Sequence, residues 1–172
     1  MTDFGFAKKI EFKTYTLCGT PEYMAPEVLL NVGHGKGVDW WTLGILLYEM
    51  LVGEPPFFDD NPMGIYQQIL SSHSCLQFPD TYNKNAKSLT KRLLTADVLK
   101  RCGCSSNGLA DVKKHVFFKE LDWGKLVIKE LDPPIKPKLK GTEDTSNYDE
   151  YPDSIEDKSI PDFGKTDPFA EF

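Results

Sequence analysis

Several things are scarce in this sequence, and each scarcity removes a class of protein. Its four cysteines, Cys18, Cys75, Cys102 and Cys104, make no C-x-x-C pair, and its three histidines sit at no zinc-ligand spacing. That argues against a disulfide framework and a structural metal, and it predicts a reducing compartment, cytoplasmic and also nuclear. No basic stretch followed by an apolar run stands at the start, so no secretory leader is expected. The most apolar helical stretch, 38–52, is too short for a bilayer and carries Asp39 and Glu49, so no membrane span is expected.

What is present supports a packed body. Of 172 residues, 40% are hydrophobic and 27% charged, enough for one domain, or for one lobe with a tail. The charge is unevenly placed. The whole chain carries a formal −6, yet residues 141–172 alone hold ten acidic and two basic side chains. The acidity therefore belongs to the C-terminal segment and the body is slightly basic. An acidic, self-repelling tail is a poor ligand for a phosphate backbone, so no nucleic-acid partner is expected.

Local pattern gives a mainly helical reading with few strands. Residues 1–25 and 33–37 read as loop, punctuated by Gly5, Gly19, Pro21 and Pro26. Residues 26–30 read as a short helix with proline in its first turn. Residues 38–52 form the main helix, with Asp39 at its positive dipole end and apolar residues on nearly every face, which predicts burial all round. Gly53 and Pro55-Pro56 end it. Asn61-Pro62 opens a helix to about residue 71. Residues 72–82 read as loop, 86–94 and 109–118 as helices, and 131–137 as extended.

Sequence motifs add function. Thr2-Asp3-Phe4-Gly5 precedes Thr20-Pro21-Glu22-Tyr23-Met24-Ala25-Pro26-Glu27, the D-F-G and A-P-E signatures of a protein kinase in the right order. Asp39-Trp40-Trp41-Thr42-Leu43-Gly44 resembles the D-x-W-x-x-G helix start, and Arg101 stands where kinases place the arginine that pairs with the A-P-E glutamate. Thr16-Leu17-Cys18-Gly19, Pro55-Pro56-Phe57-Phe58, Asp144-Thr145-Ser146-Asn147-Tyr148 and the terminal Phe169-Ala170-Glu171-Phe172 narrow the likeness. Together they resemble the cAMP-dependent protein kinase catalytic subunit and protein kinase X family, AGC-group serine/threonine kinases.

The resemblance implies a fold: the C-terminal, large lobe of the kinase fold, incomplete and followed by an extended acidic tail. It implies three segments, an activation segment at 1–27, a helical lobe at 28–118 and a tail at 119–172. It implies ATP and Mg²⁺ as cofactors, with Asp3 the metal ligand and Tyr148 and Tyr151 approaching the adenine. Thr16 aligns with an activation-loop phosphothreonine, with Lys8 as a partner for its phosphate, and Ser159 is a candidate tail phosphosite. Thr14 is the weaker alternative to Thr16. Leu17, Pro21 and Met24 would form a pocket for the residue after the phosphoacceptor. Glu22 and Glu49 would read arginines upstream of it, and Glu49, late in an apolar helix, needs such a partner. Thr20 would support the catalytic loop. Glu27 and Arg101 would form a buried ion pair, and Asp39 would brace the catalytic loop. Phe169 and Phe172 would dock in a groove of the other lobe.

The expected partners are arginine-containing protein or peptide substrates and a cAMP-binding regulatory subunit. Tyr15 stands where the family often has tryptophan on that regulatory surface. The glycine-rich lid, the strand lysine and the H-R-D loop are absent from the sequence; Gly33-His34-Gly35-Lys36-Gly37 matches neither phosphate-binding pattern. The chain as written is therefore expected to be catalytically inactive. The competing expectation is a module that binds substrates or regulatory subunits without turning anything over.

Overall fold

The computed structural model describes residues 3–151, in two compact units divided after Leu131. The first unit is built on helix α2 (Gly37–Val52) and also holds, in chain order, α1 (Pro26–Leu29), α3 (Pro62–Leu70), α4 (Ser72–Cys75), α5 (Lys84–Leu93), α6 (Leu109–Lys113) and α7 (Trp123–Val127). Short 3-10 turns at Pro21–Tyr23 and Val116–Phe118 complete it. Among the described residues strand pairing is confined to one antiparallel bridge, Thr14 to His34.

Helix α2 stops where its sequence says it should. Gly53 takes the left-handed conformation at φ 97°, and its N–H closes on the Glu49 carbonyl at 2.8 Å. One face of α2 is fully buried. Trp41 and Ile45 have no exposed surface, and Trp41 stacks on Phe57 at 6.1 Å between ring centroids. Ile65 and Ile69 of α3 and Ala25 join the same cluster. A second cluster sets Leu47 against Leu89, Leu93, Cys102 and Val112, so α2 and α5 share a wall. At Gly44 the two elements meet so closely that a Cβ would lie 2.8 Å from Leu94 Cδ2. A third cluster joins Tyr48, Tyr82 and Ala86, with the Tyr82 hydroxyl 2.9 Å from Thr90 Oγ1.

The helix starts follow side-chain chemistry. Asn61 Oδ1 accepts the Met63 N–H at 3.0 Å, with Pro62 at the first helical position. Asn83 Oδ1 accepts from Asn85 and Ala86 at 2.9 and 3.1 Å, so α5 begins two residues before the predicted start.

Four expectations are corrected. The 72–82 stretch is not all loop, because Ser72–Cys75 makes one helical turn on the end of α3. The predicted 109–118 helix is broken: α6 ends at Lys113, and the His115 ring takes over as a cap, Nδ1 accepting the Phe117 N–H at 3.2 Å. The α7 helix, capped by Asp122 on the Lys125 N–H, was not expected, because five residues are too short to show a helical period. Finally, α2 is not buried on every face: Leu46, Met50 and Leu51 are 42%, 66% and 49% exposed.

His115 is itself buried. Its Nε2 lies 3.2 Å from Ser88 Oγ, and burial, aided by the charge of Arg92, pushes its pKa down. With Nδ1 accepting, the neutral ring carries its proton on Nε2 and donates to Ser88.

In the second unit, described from Asp132 to Tyr151, Asp144 organises the chain. Its carboxylate accepts the Lys140 N–H at 2.7 Å and the Ser146 N–H at 2.9 Å. Asn147 Nδ2 donates to the Lys138 carbonyl at 3.3 Å, and Lys136 pairs with Asp132.

Candidate functional site

The site is assembled on the front of α2 and on the segment before α1. Its anchor is the pair Glu27–Arg101. Both charges are almost wholly buried, and the carboxylate meets the guanidinium as a fork, at 2.7 and 2.8 Å. Arg101 spends its remaining donors on the Thr95, Gly37 and Ala96 carbonyls at 2.9, 2.9 and 3.3 Å. All five N–H groups are thereby paired, and the guanidinium also lies 5.2 Å from the Trp41 ring centre. A fully satisfied buried cation tolerates burial; the same cation without Glu27 would not. The pair ties the start of α1 to the loop that follows α5.

Just upstream, Pro21–Tyr23 forms a 3-10 turn started by Thr20, whose carbonyl accepts the Tyr23 N–H at 3.0 Å. The Tyr23 hydroxyl donates to the Glu49 carboxylate. Burial, followed by that bond and the charges of Glu49 and Glu22, pushes the Tyr23 phenol up to about 12. Tyr23 is therefore a permanent donor, and Glu49 is not the unpartnered carboxylate that helix pattern alone suggested. Its hydroxyl partner was missed because it comes from a turn, not from the helix. Glu49 Oε1 accepts nothing from the described residues, and Glu22, half-buried on the 3-10 turn, adds its charge at Tyr23.

In front of α2 opens a cleft of about 1080 Å³, lined by Asp3, Tyr23, Lys36, Asp39, Trp40, Thr42, Leu43 and Leu46. Asp3 and Asp39 thus share one depression. Asp3 holds a left-handed backbone at φ 59°, and its Oδ1 accepts the Gly5 N–H at 3.0 Å. No group of three or more His, Cys, Asp or Glu gathers into a metal cage among the described residues. Asp3 is one carboxylate with one oxygen already engaged, and these residues alone do not fit a magnesium ion, which wants several oxygens.

The other predicted residues are scattered more widely. Thr16 is exposed; its Oγ1 lies 3.3 Å from Thr14 Oγ1, and it is Thr14 that Lys8 Nζ reaches, at 3.1 Å. Leu17 is 61% exposed whereas Met24 is buried and Pro21 half-buried, so the three do not share one degree of enclosure. Cys18 is exposed. Tyr148 closes a turn in the second unit, its N–H on the Thr145 carbonyl at 2.9 Å, and Tyr151 lies three residues on. Ser159, Phe169 and Phe172 lie outside the described residues.

With this geometry in place, comparison with known proteins is direct. A sequence profile of the protein kinase domain matches residues 1–118. The chain is 52% identical to the cAMP-dependent protein kinase catalytic subunit PRKX of Homo sapiens over 161 residues, covering 94% of this chain and 44% of that protein. It is 52% identical to the cAMP-dependent protein kinase catalytic subunit 3 of Drosophila melanogaster, covering 89% of this chain and 26% of that protein. The cAMP-dependent protein kinase catalytic subunit of Dictyostelium discoideum is 46% identical over 170 residues, 99% of this chain and 26% of its own length. The chain thus spans less than half the length of each of these relatives.

Proposed function

This chain belongs to the protein kinase family, and from that premise we propose that it supplies the substrate-facing large lobe of a serine/threonine kinase that moves the ATP γ-phosphoryl group to proteins carrying arginine upstream of the acceptor. The single observation that carries this reading is the Tyr23–Glu49 bond. A hydroxyl holds one oxygen of a half-buried carboxylate and leaves the other free, and the charge of a second acid, Glu22, acts on the same hydroxyl. A carboxylate with one oxygen fixed and the other open suits a guanidinium N–H, and Glu22 on the neighbouring 3-10 turn adds negative charge there.

The remaining roles are proposed with it. Residues 1–27 are the activation segment, 28–118 the helical lobe and 119–172 the tail. Asp3 would be one of the several oxygen ligands that the magnesium of ATP needs, a set that the described residues do not complete. Tyr148 and Tyr151 would flank the adenine, and Phe169 and Phe172 would dock the tail. Asp39 and Thr20 would hold the catalytic loop, and Leu17, Pro21 and Met24 would receive the residue after the acceptor. Thr16 is the activation phosphosite and Ser159 a tail phosphosite. A cAMP-binding regulatory subunit is the proposed partner, in the cytoplasm and nucleus.

A second reading is favoured by one observation. The Glu49 carboxylate that would face substrate is held by Tyr23, while the 172-residue sequence contains no H-R-D loop. This chain by itself would then bind arginine-containing peptides without phosphorylating them.

Both readings are tested with a fluorescent serine peptide bearing two upstream arginines. The chain is expected to bind it in preference to the lysine analogue, and Glu49→Gln is expected to abolish the preference. Equal binding of the two peptides would overturn substrate recognition. Phosphate transfer above a no-enzyme control would overturn the binding-module reading.

A further inference from the structure

Helix α5 is the basic element of an acidic chain. Residues 81–96 hold four basic side chains, Lys84, Lys87, Lys91 and Arg92, and no acid, while the whole chain carries −6. The helical period sorts these cations. Lys87 and Lys91 both lie over the ring of Phe78, their Nζ atoms 5.0 and 5.7 Å from its centre. Lys84 and Arg92 have Ser88 midway between them, four residues from each. Positions four apart are neighbours on a helix surface, so Ser88 stands between two cations. Neither of the two meets a carboxylate in an ion pair among the described residues.

Ser88 is exposed, and a further donor is aimed at it. His115 Nε2 lies 3.2 Å from Ser88 Oγ. The backbone sets the tautomer of that ring: Nδ1 accepts the Phe117 N–H at 3.2 Å, so the neutral imidazole carries its proton on Nε2. Ser88 Oγ is therefore the acceptor, and its own O–H donates to no group among the described residues. Arg92 belongs to the same neighbourhood, since its charge acts on His115. Asp111, the acid that also feels Arg92, is held instead by Ser105 and Asn107. An oxygen that accepts from a histidine and sits between two cations is a setting for an anion, and a neutral hydroxyl makes little use of it.

We propose that Ser88 is a phosphorylation site and that His115, Arg92 and Lys84 receive its phosphate. A separate kinase moves the ATP γ-phosphoryl to Ser88 Oγ. The Oγ–phosphorus bond forms, the bond from the γ-phosphorus to the bridging oxygen breaks, ADP leaves and the hydroxyl proton passes to solvent. The product carries a near-dianion with three strong acceptor oxygens. One of them takes the Nε2–H that Ser88 Oγ takes now, and the neutral imidazole suffices for that bond. Arg92 lies four residues C-terminal to the new charge, the favoured orientation for an acid and a base on a helix. Lys84 flanks it from the other side. The phosphate thereby staples α5 to the turn at Val116–Phe118, whose Phe117 packs against the clusters around Leu47 and Tyr48. None of these residues belongs to the substrate-facing acids, so the site stands apart from the reading of Glu49.

The test uses the 172-residue chain with phosphoserine installed at position 88 during translation, as wild type, Arg92→Gln and His115→Asn. The phosphorus NMR signal is expected to titrate at lower pH than in a free peptide of residues 82–94, because nearby cations favour the dianion. Arg92→Gln should undo at least half of that displacement. A phosphatase should release phosphate several-fold more slowly from wild type than from either variant. The phosphorylated wild type should melt a few degrees above the unphosphorylated chain. Arg92 is exposed, so its variant keeps the test sound even where His115→Asn fails to fold. A phosphorus titration that matches the peptide and does not respond to Arg92→Gln would overturn the receptor. So would an Arg92→Gln melting loss that is equal with and without the phosphate, since that marks a purely structural role. Mass spectrometry of the protein isolated from its own cells under phosphatase inhibition should find phosphate on Ser88, and an unmodified Ser88 there would overturn the modification.

Discussion

Both faces of α2 carry large apolar side chains, yet they meet opposite fates. On the back, Trp41, Ile45 and Tyr48 vanish into clusters with α3 and α5. On the front, Leu43 and Leu46 line an open cleft, and Met50 lies exposed further along the helix. Apolar character says that a face gains from being covered; it does not say that the cover lies within this stretch of chain. The back face is a stability device and the front face a surface that invites contact.

The sharpest way to break this contrast is at the anchor behind α2. Arg101→Met or Glu27→Gln is expected to cost about 3–5 kcal/mol, because each strands a buried charge or its partner groups. Urea unfolding followed by tryptophan fluorescence measures it. A loss below about 1 kcal/mol, the range of exposed pairs, would mean that the pair is solvated in solution.

Next comes the back face itself. Trp41→Ala removes a fully buried ring stacked on Phe57, and a loss of about 3–5 kcal/mol is expected in the same assay. On the front, Leu46→Gln and Met50→Gln are expected to change stability by no more than about 0.5 kcal/mol, as exposed sites do. They should instead lower self-association, read by light scattering, since the front exposes contiguous apolar surface. Front substitutions as damaging as Trp41→Ala would erase the distinction between the faces.

A smaller effect tests the far side of α5. His115 is held neutral, its pKa lowered by burial and by Arg92. The folded state thus binds a proton less readily than the unfolded chain. Its contribution is fully present above the unfolded value of about 6.5 and is lost as pH falls below it. Melting temperature should fall from pH 7 to pH 5 with a slope that His115→Asn reduces. The smallest effect belongs to Tyr23, whose phenol ionises near 12, so its absorbance change should come above that of free tyrosine and move back in Glu49→Gln.

Much of this was readable in the sequence, and the failures have physical causes. Helix ends were legible wherever a local signal set them: Asn61-Pro62, Gly53, Pro55-Pro56. The α6 boundary was not, because a histidine from a buried site acts as the cap, and its capping role exists only once Ser88 and Arg92 have packed beside it. The partnership of Glu27 with Arg101 came from resemblance to a family, since no local pattern links residues 74 positions apart. The Tyr23–Glu49 bond and the Thr14–His34 rung escaped notice for the same reason. Each joins a loop or turn residue to a partner far along the chain, and loop residues carry no periodicity to place them.

The reach of Arg101 also has a consequence in time. Its five donors gather Glu27, Gly37, Thr95 and Ala96 into one knot. Contacts of such long sequence separation form only after a large loop has closed, and they slow folding. During synthesis the A-P-E glutamate emerges from the ribosome long before its arginine does. Until Arg101 arrives, Glu27 must stay in water, and the segment before α1 has nothing to hang from. The segment before α1 is thus made well before the arginine that fixes it.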